Sequence, residues 1–258
     1  MTFLSRRRFL RTLFVLFVIL AGAGAWLLMR ARADYGQALA TQGWPTNAPP
    51  VPLRNKSPTN GANVLLLMGD SRITAWDPPL VSGWKVFDGG VGGMTTPQLA
   101  FHCRGMLERA RPAVVVLQIG INDFKILGLR PALRKAVVDA YLSNITTIVK
   151  ECRASGAHVI VTPIWPAGEV SLERRVVWSS AIPAGVAEAN ERLERQFTGQ
   201  PGITVTNVFA TATRGMSEKE IRGLYQDTLH LTPAAYVPLS MVLTQTLSSL
   251  NTPVRSTK

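Results

Sequence analysis

Five short strand candidates separated by helical patterns, the clearest of them nearly continuous apolar runs, constrain this chain more than any other feature. They fall at residues 63–68 (NVLLLM), 84–87, 113–119 (AVVVLQI), 157–162 (AHVIVT) and 203–208. A strand with one wet face alternates apolar and polar residues, whereas an unbroken run is buried on both faces. Helical patterns over 97–110, 131–155 and 184–197 lie between the runs. A last helix opens with Thr232 as N-cap and Pro233 in its first turn. This alternation predicts an α/β fold, a three-layer α/β/α sandwich around a central parallel sheet of about five strands. Ligands of such sheets bind beyond the carboxyl ends of the strands. Chemistry is therefore expected just after residues 68, 87, 119, 162 and 208.

The N-terminus has a different character. Residues 12–29 (TLFVLFVILAGAGAWLLM) are 18 uncharged residues, preceded by Arg6, Arg7, Arg8 and Arg11 and followed by Arg30 and Arg32. At ~1.5 Å per residue, a helix of about this length crosses a bilayer core of ~30 Å. The arginine excess ahead of the run predicts a cytoplasmic N-terminus and a main domain outside the cytoplasm, on the periplasmic or extracellular side. Ser5-Arg6-Arg7-Arg8-Phe9-Leu10 also resembles a twin-arginine export signal, and Ala31-Arg32-Ala33 a cleavage site. The length of the apolar run favours a retained transmembrane anchor over a cleaved signal. The expected organisation is a tail and anchor over 1–33, then a proline-rich linker or surface strap over 34–61 that begins with a short helix near 35–42. A main domain follows over 62–250, and a tail over 251–258.

The net charge of +12 is unevenly placed, since six arginines lie in the first 33 residues, which hold no acid. The remaining excess is thinly spread, without a Lys/Arg run or interleaved aromatics, which argues against a nucleic-acid partner. Cys103 and Cys152 have no CxxC or metal-ligand spacing. They read as two small buried hydrophobes, with a disulfide as the alternative if the domain lies outside the cytoplasm.

Four short blocks sit where chemistry is expected. Gly69-Asp70-Ser71 follows the first strand. A serine hydroxyl is a poor nucleophile alone and needs a base within hydrogen-bond reach and donors for the oxyanion formed on attack. Residues 88–96 (DGGVGGMTT) follow the second, where glycines let the backbone approach a ligand and the Gly93 N–H becomes a candidate donor. Gly120-Ile121-Asn122-Asp123 follows the third, with the Asn122 amide as a neutral donor and Asp123 able to hold its loop. Asp227-Thr228-Leu229-His230 precedes the last helix, and a histidine with a carboxylate partner is a base suited to neutral pH. Each block also has an ordinary structural reading: an N-cap serine, a tight loop, an Asx-turn, a surface histidine. His102, in a helix, and His158, at the amino end of its strand, are read as structural. Residues 163–175, with Trp165 and Pro166, and residues 76–79 are candidate walls of the site or ordinary packing.

In this order the blocks resemble those of the SGNH (GDSL-type) hydrolase superfamily, over roughly residues 62–250. The resemblance implies a flavodoxin-like fold, Ser71 as nucleophile, His230 as base and Asp227 as its orienting acid. It implies an oxyanion hole of the Ser71 N–H, the Gly93 N–H and the Asn122 amide, with Asp70 and Asp123 in support and no metal or organic cofactor. Two departures stand out: Asp88, where members often carry Asn, and Met94, where they often carry Asp. The first is expected to alter loop hydrogen bonding, the second to make the rim less polar.

The implied chemistry is serine ester hydrolysis through an acyl-enzyme. Outside the cytoplasm, the leading substrates are an O-acetyl group of an envelope polysaccharide or a small acyl ester, with lipid esters behind them. An O-acyltransferase with the same three residues and a non-catalytic envelope module are the alternatives. Nothing in the sequence indicates an oligomeric state.

Overall fold

The computed structural model describes residues 3–56, 63–77 and 83–250, with side chains from Phe9 onward. The side chains of Arg6, Arg7 and Arg8, residues 57–62, residues 78–82 and the tail over 251–258 lie outside the described residues.

Residues 1–40 and 41–258 form two compact units. The first is helix α1 (Phe3–Thr41). An 18-residue stretch within Phe9–Thr41 has a mean hydropathy of 2.4, enough by length and composition to cross a membrane, a description a signal sequence also meets. One expectation needs correcting: residues 34–41 are not linker, and the helix near 35–42 is not separate. The alanine-rich stretch after Met29 holds no proline, Gly36 alone does not stop the helix, and the first proline is Pro45.

The second unit is built on a six-stranded mixed sheet. In chain order its elements are β1 (Arg54–Asn55), β2 (Asn63–Gly69), α2 (Ser71–Thr74), β3 (Trp84–Gly90), α3 (Thr96–Ala110), β4 (Val114–Gln118) and α4 (Ile121–Phe124). They continue as α5 (Arg134–Ala154), β5 (His158–Val161), α6 (Ala181–Phe197), β6 (Ile203–Val205), α7 (Val208–Ala212), α8 (Glu218–Gly223) and α9 (Tyr236–Ser249). The strand order is β1-β3-β2-β4-β5-β6. Strands β2 to β6 are parallel, and β1 joins the edge antiparallel to β3. The five parallel strands thus have the flavodoxin order, which reverses direction between β2 and β4.

The nearly continuous runs of the central strands are needed because both faces of the sheet are covered there. On β2, Leu66 and Met68 enter one core, while Leu65 and Leu67 enter the other. The first core packs under α3, α5 and α6 through Leu99, Met106, Ile145, Ile148 and Leu193. The second packs under α9 through Leu239, Leu243 and Leu247. Each such fully buried side chain contributes roughly 1.5–3 kcal/mol. Strand β6 is shorter than the expected 203–208, because Asn207 accepts from Ala210 N–H and caps α7.

The proline-rich segment lies against this unit. Val51 is buried in the first core, and Arg54 and Asn55 pair with Asp88 and Phe87. The Arg54 guanidinium reaches the fully buried Asp88 at 2.9 Å and donates to Gly90 O at 2.6 Å. Asp88 also accepts from Gly90 N–H at 2.7 Å. An acid therefore stands at this position with a cation from the strap as its partner.

Candidate active site

The sheet brings the four blocks to one edge. Strand β2 ends at Gly69, and Asp70 caps the short helix α2 by accepting from Arg72 N–H at 2.9 Å. Ser71 is the first residue of that helix, beside the reversal point between β2 and β4. Its Oγ lies 3.0 Å from His230 Nε2. His230 Nδ1 lies 2.8 Å from Asp227 Oδ2, and Asp227 Oδ1 accepts from the N–H groups of Leu229 (2.7 Å) and His230 (2.8 Å). A hydroxyl, an imidazole and a carboxylate thus stand in line over residues 159 apart in the chain.

Burial would raise the Asp227 carboxyl, but the hydrogen bond with His230 and the two backbone donors outweigh it and bring it down to about 2. Asp227 is therefore a carboxylate at neutral pH. That fixes the proton of neutral His230 on Nδ1 and leaves Nε2 free to accept from Ser71.

The donor loops are clasped together. Val91 N–H donates to Gly69 O at 3.1 Å, tying the glycine loop to the serine strand. Gly90 lets that loop approach α2, since a Cβ there would sit 2.6 Å from Thr74 N. Gly93 has φ +75, a left-handed conformation that glycine adopts without strain. The buried Asn122 donates from Nδ2 to Met94 O at 2.9 Å. Asp123 accepts from Thr96 N–H at 3.1 Å and from Thr96 Oγ1, holding the start of α3. Burial pushes the Asp123 carboxyl up to about 7 against these donors.

Asp70 is wholly buried, and burial raises its carboxyl against the charge and the N–H of Arg72. Arg72 is the residue the sequence reading missed. It is fully buried and donates to three carbonyls: Leu229 O at 2.9 Å, Trp165 O at 2.7 Å and Pro166 O at 3.0 Å. It thereby ties the turn that carries Ser71 to the residue preceding His230. The available signal was a guanidinium one residue after a strand-end serine, where a short helix must turn one face inward.

One expectation is corrected and one open choice is decided. Met94 is not on a rim: its side chain is wholly buried in the core. Trp165 and Trp76 are packing and not walls, both buried and edge-to-face at 5.5 Å. Their indole N–H groups are satisfied by Thr162 Oγ1 and Ser240 Oγ. Residues 78 and 79 lie outside the described residues. His102 bonds Pro45 O and His158 bonds Thr204 Oγ1, both away from Ser71. Cys103 and Cys152 are buried free thiols with their sulfurs 4.0 Å apart. Among the described residues no group of His, Cys, Asp and Glu forms a metal site.

The model of the GDSL-like lipase/acylhydrolase family matches residues 40–237. No curated protein matches the chain. Among solved structures, a GDSL-like lipase from Bacteroides thetaiotaomicron superposes with a TM-score of 0.56 at 18% identity, over 84% of this chain and 97% of that one. The acetylxylan esterase Axe2 from Geobacillus stearothermophilus gives 0.54 at 14% identity, over 77% and 99%. The esterase EstA from Pseudoalteromonas sp. gives 0.50 at 17% identity, over 72% and 97%. At these identities the likeness speaks for the fold.

Proposed function

The chain belongs to the GDSL-like lipase/acylhydrolase family and is a hydrolase acting on ester bonds, and from that premise we propose that Ser71 is its nucleophile, His230 the general base and Asp227 the group that orients His230. The observation that carries this reading is the chain of contacts from Ser71 Oγ to His230 Nε2 at 3.0 Å and from His230 Nδ1 to Asp227 at 2.8 Å.

His230 takes the Ser71 proton as Oγ attacks the ester carbonyl. The N–H groups of Ser71 and Gly93 and the second Asn122 amide hydrogen receive the oxyanion. His230 then returns the proton to the leaving alcohol, and the same steps with water release the acid. Removing one such donor typically costs about 10²–10³ in rate, so the loops clasped by Asn122 and Asp123 are part of the catalytic apparatus.

The substrate we favour is a small acyl ester, such as an O-acetyl group of an envelope polysaccharide. Two features support it: α1, read as a membrane anchor with the arginine excess on its cytoplasmic side, and the fold shared with an acetylxylan esterase. Incubating the detergent-solubilised full chain with diethyl p-nitrophenyl phosphate and mapping the adduct by peptide mass tests the nucleophile. One phosphoryl group on the Ser71 peptide is expected; stoichiometric labelling elsewhere, with Ser71 unmodified, overturns the assignment.

A further inference from the structure

The segment between β5 and α6 crosses the site from its histidine side to its asparagine side. Asn190 clamps its first part, accepting from Ile164 N–H at 2.8 Å and donating to Ile164 O at 2.9 Å. Its middle lies on the histidine turn. Gly168 N–H donates to Thr228 O at 2.8 Å, Thr228 Oγ1 donates to Glu169 O at 3.0 Å, and the Tyr225 hydroxyl donates to Pro166 O at 2.9 Å. Its last part lies on the turn after α4, where Ser179 Oγ donates to Leu127 O at 2.9 Å. There Val177 O comes so near Gly128 that a Cβ would be 1.8 Å away. Arg174 lies between these two anchorages. Lys125 opens the turn after α4, three residues beyond Asn122 and hence on the same helical side. Lys125 faces Asp70 and Arg72 of the Ser71 turn, Asp227 of the histidine turn and Arg174 of this segment, so the two cations lie near each other at the border of the site.

Neither cation is paired. Among the described residues, neither Lys125 nor Arg174 makes an ion pair or a side-chain hydrogen bond, and both are half-buried. The acids of the same segment, Glu169 and Glu173, are exposed, and Glu173 is held by the Ser171 hydroxyl. Burial lowers the Lys125 ammonium to about 8; Asp70 and Asp227 oppose that shift, while Arg174 and Arg72 add to it. Lys125 and Arg174 are like charges held half out of water, and Asp70 and Asp227 offset their mutual repulsion only in part in the free protein. An incoming anion relieves this, and the planar fork of an arginine beside the point charge of a lysine matches a carboxylate or a phosphate.

We propose that Lys125 and Arg174 form an oxyanion-binding subsite, so that the preferred ester carries a carboxylate or phosphate group of its own. This rests on the reading of Ser71 and His230 as the reacting pair. The test compares 4-acetoxybenzoate, 4-acetoxyphenyl phosphate and the neutral methyl 4-acetoxybenzoate as substrates of the full chain, its Lys125→Met and Arg174→Gln variants, and Ser71→Ala. The ratio of kcat/KM for an anionic ester to that for the neutral one is expected to fall at least tenfold in both cation variants. The anionic ester that loses more identifies the oxyanion. Ser71-dependent hydrolysis with an unchanged ratio in both variants overturns the subsite and leaves the reading of Ser71 and His230 standing. Absence of Ser71-dependent hydrolysis of every ester overturns the reading of Ser71 as nucleophile instead. Titration calorimetry with 4-hydroxybenzoate then decides the subsite: binding weakened at least tenfold in both variants supports it, and unchanged or absent binding overturns it.

Discussion

Arg72 shows how much a single residue can carry here. Its partners Leu229 O and Trp165 O are 157 and 93 residues away, so no local pattern announces it. That Ser71, His230 and Asp227 come together was foreseeable from the placement of their blocks between elements and from the family resemblance, whereas Arg72 acts only through the closed fold. Arg72→Met leaves three carbonyls without their donor and the buried Asp70 without its nearest opposite charge. Chemical denaturation is expected to show a loss of about 3–5 kcal/mol, with kcat reduced at temperatures where the variant stays folded, since the Ser71 and His230 turns lose their tie. Lys125 is the opposite case. Its pKa of about 8 against the ordinary 10.5 means that the unfolded chain binds more protons between those values, so stability rises with pH through that window. The groups facing it are Asp70, Asp227, Arg174 and Arg72. Lys125→Met is expected to stabilise the protein by about 2–3 kcal/mol at pH 7. That gain shrinks toward zero as the pH approaches 10.5, a trend that urea unfolding at several pH values reads directly.

At the scale of elements, the central parallel strands β2, β4 and β5 were legible because burial on both faces forces nearly unbroken apolar runs. Strand β1 was not, since Arg54-Asn55 has no apolar pattern and exists only through its pairing with β3. Chain ends were harder still: β6 stops at Val205 because a side-chain cap at Asn207 outcompetes the strand, and α1 runs to Thr41 because nothing breaks it earlier. The strap matters to the site through Arg54, which reaches both the Asp88 carboxylate and Gly90 O in the strand that feeds the glycine loop. Arg54→Ala leaves Asp88 buried, with Lys56 Nζ 4.0 Å away as its remaining cation among the described residues. A loss of about 1–3 kcal/mol is expected. Hydrogen exchange is expected to quicken at Gly90, whose carbonyl and N–H both belong to this cluster. An exchange pattern unchanged there would separate the strap from the glycine loop.

Taken as a whole, the molecule joins a helix with membrane-spanning length to an α/β unit that gathers chemistry on one edge of its sheet. The five parallel strands order the blocks, and the reversal between β2 and β4 sets Ser71 beside the Asn122 loop. Packing on both faces then leaves the carboxyl ends as the place where polar side chains from distant parts of the chain converge. The account therefore concentrates on one hydroxyl. Turnover of p-nitrophenyl acetate by the detergent-solubilised full chain and by Ser71→Ala tests it most directly. The account predicts kcat/KM lower by about 10⁴-fold or more in the variant at unchanged thermal stability. A Ser71→Ala rate within tenfold of the unaltered chain would contradict it.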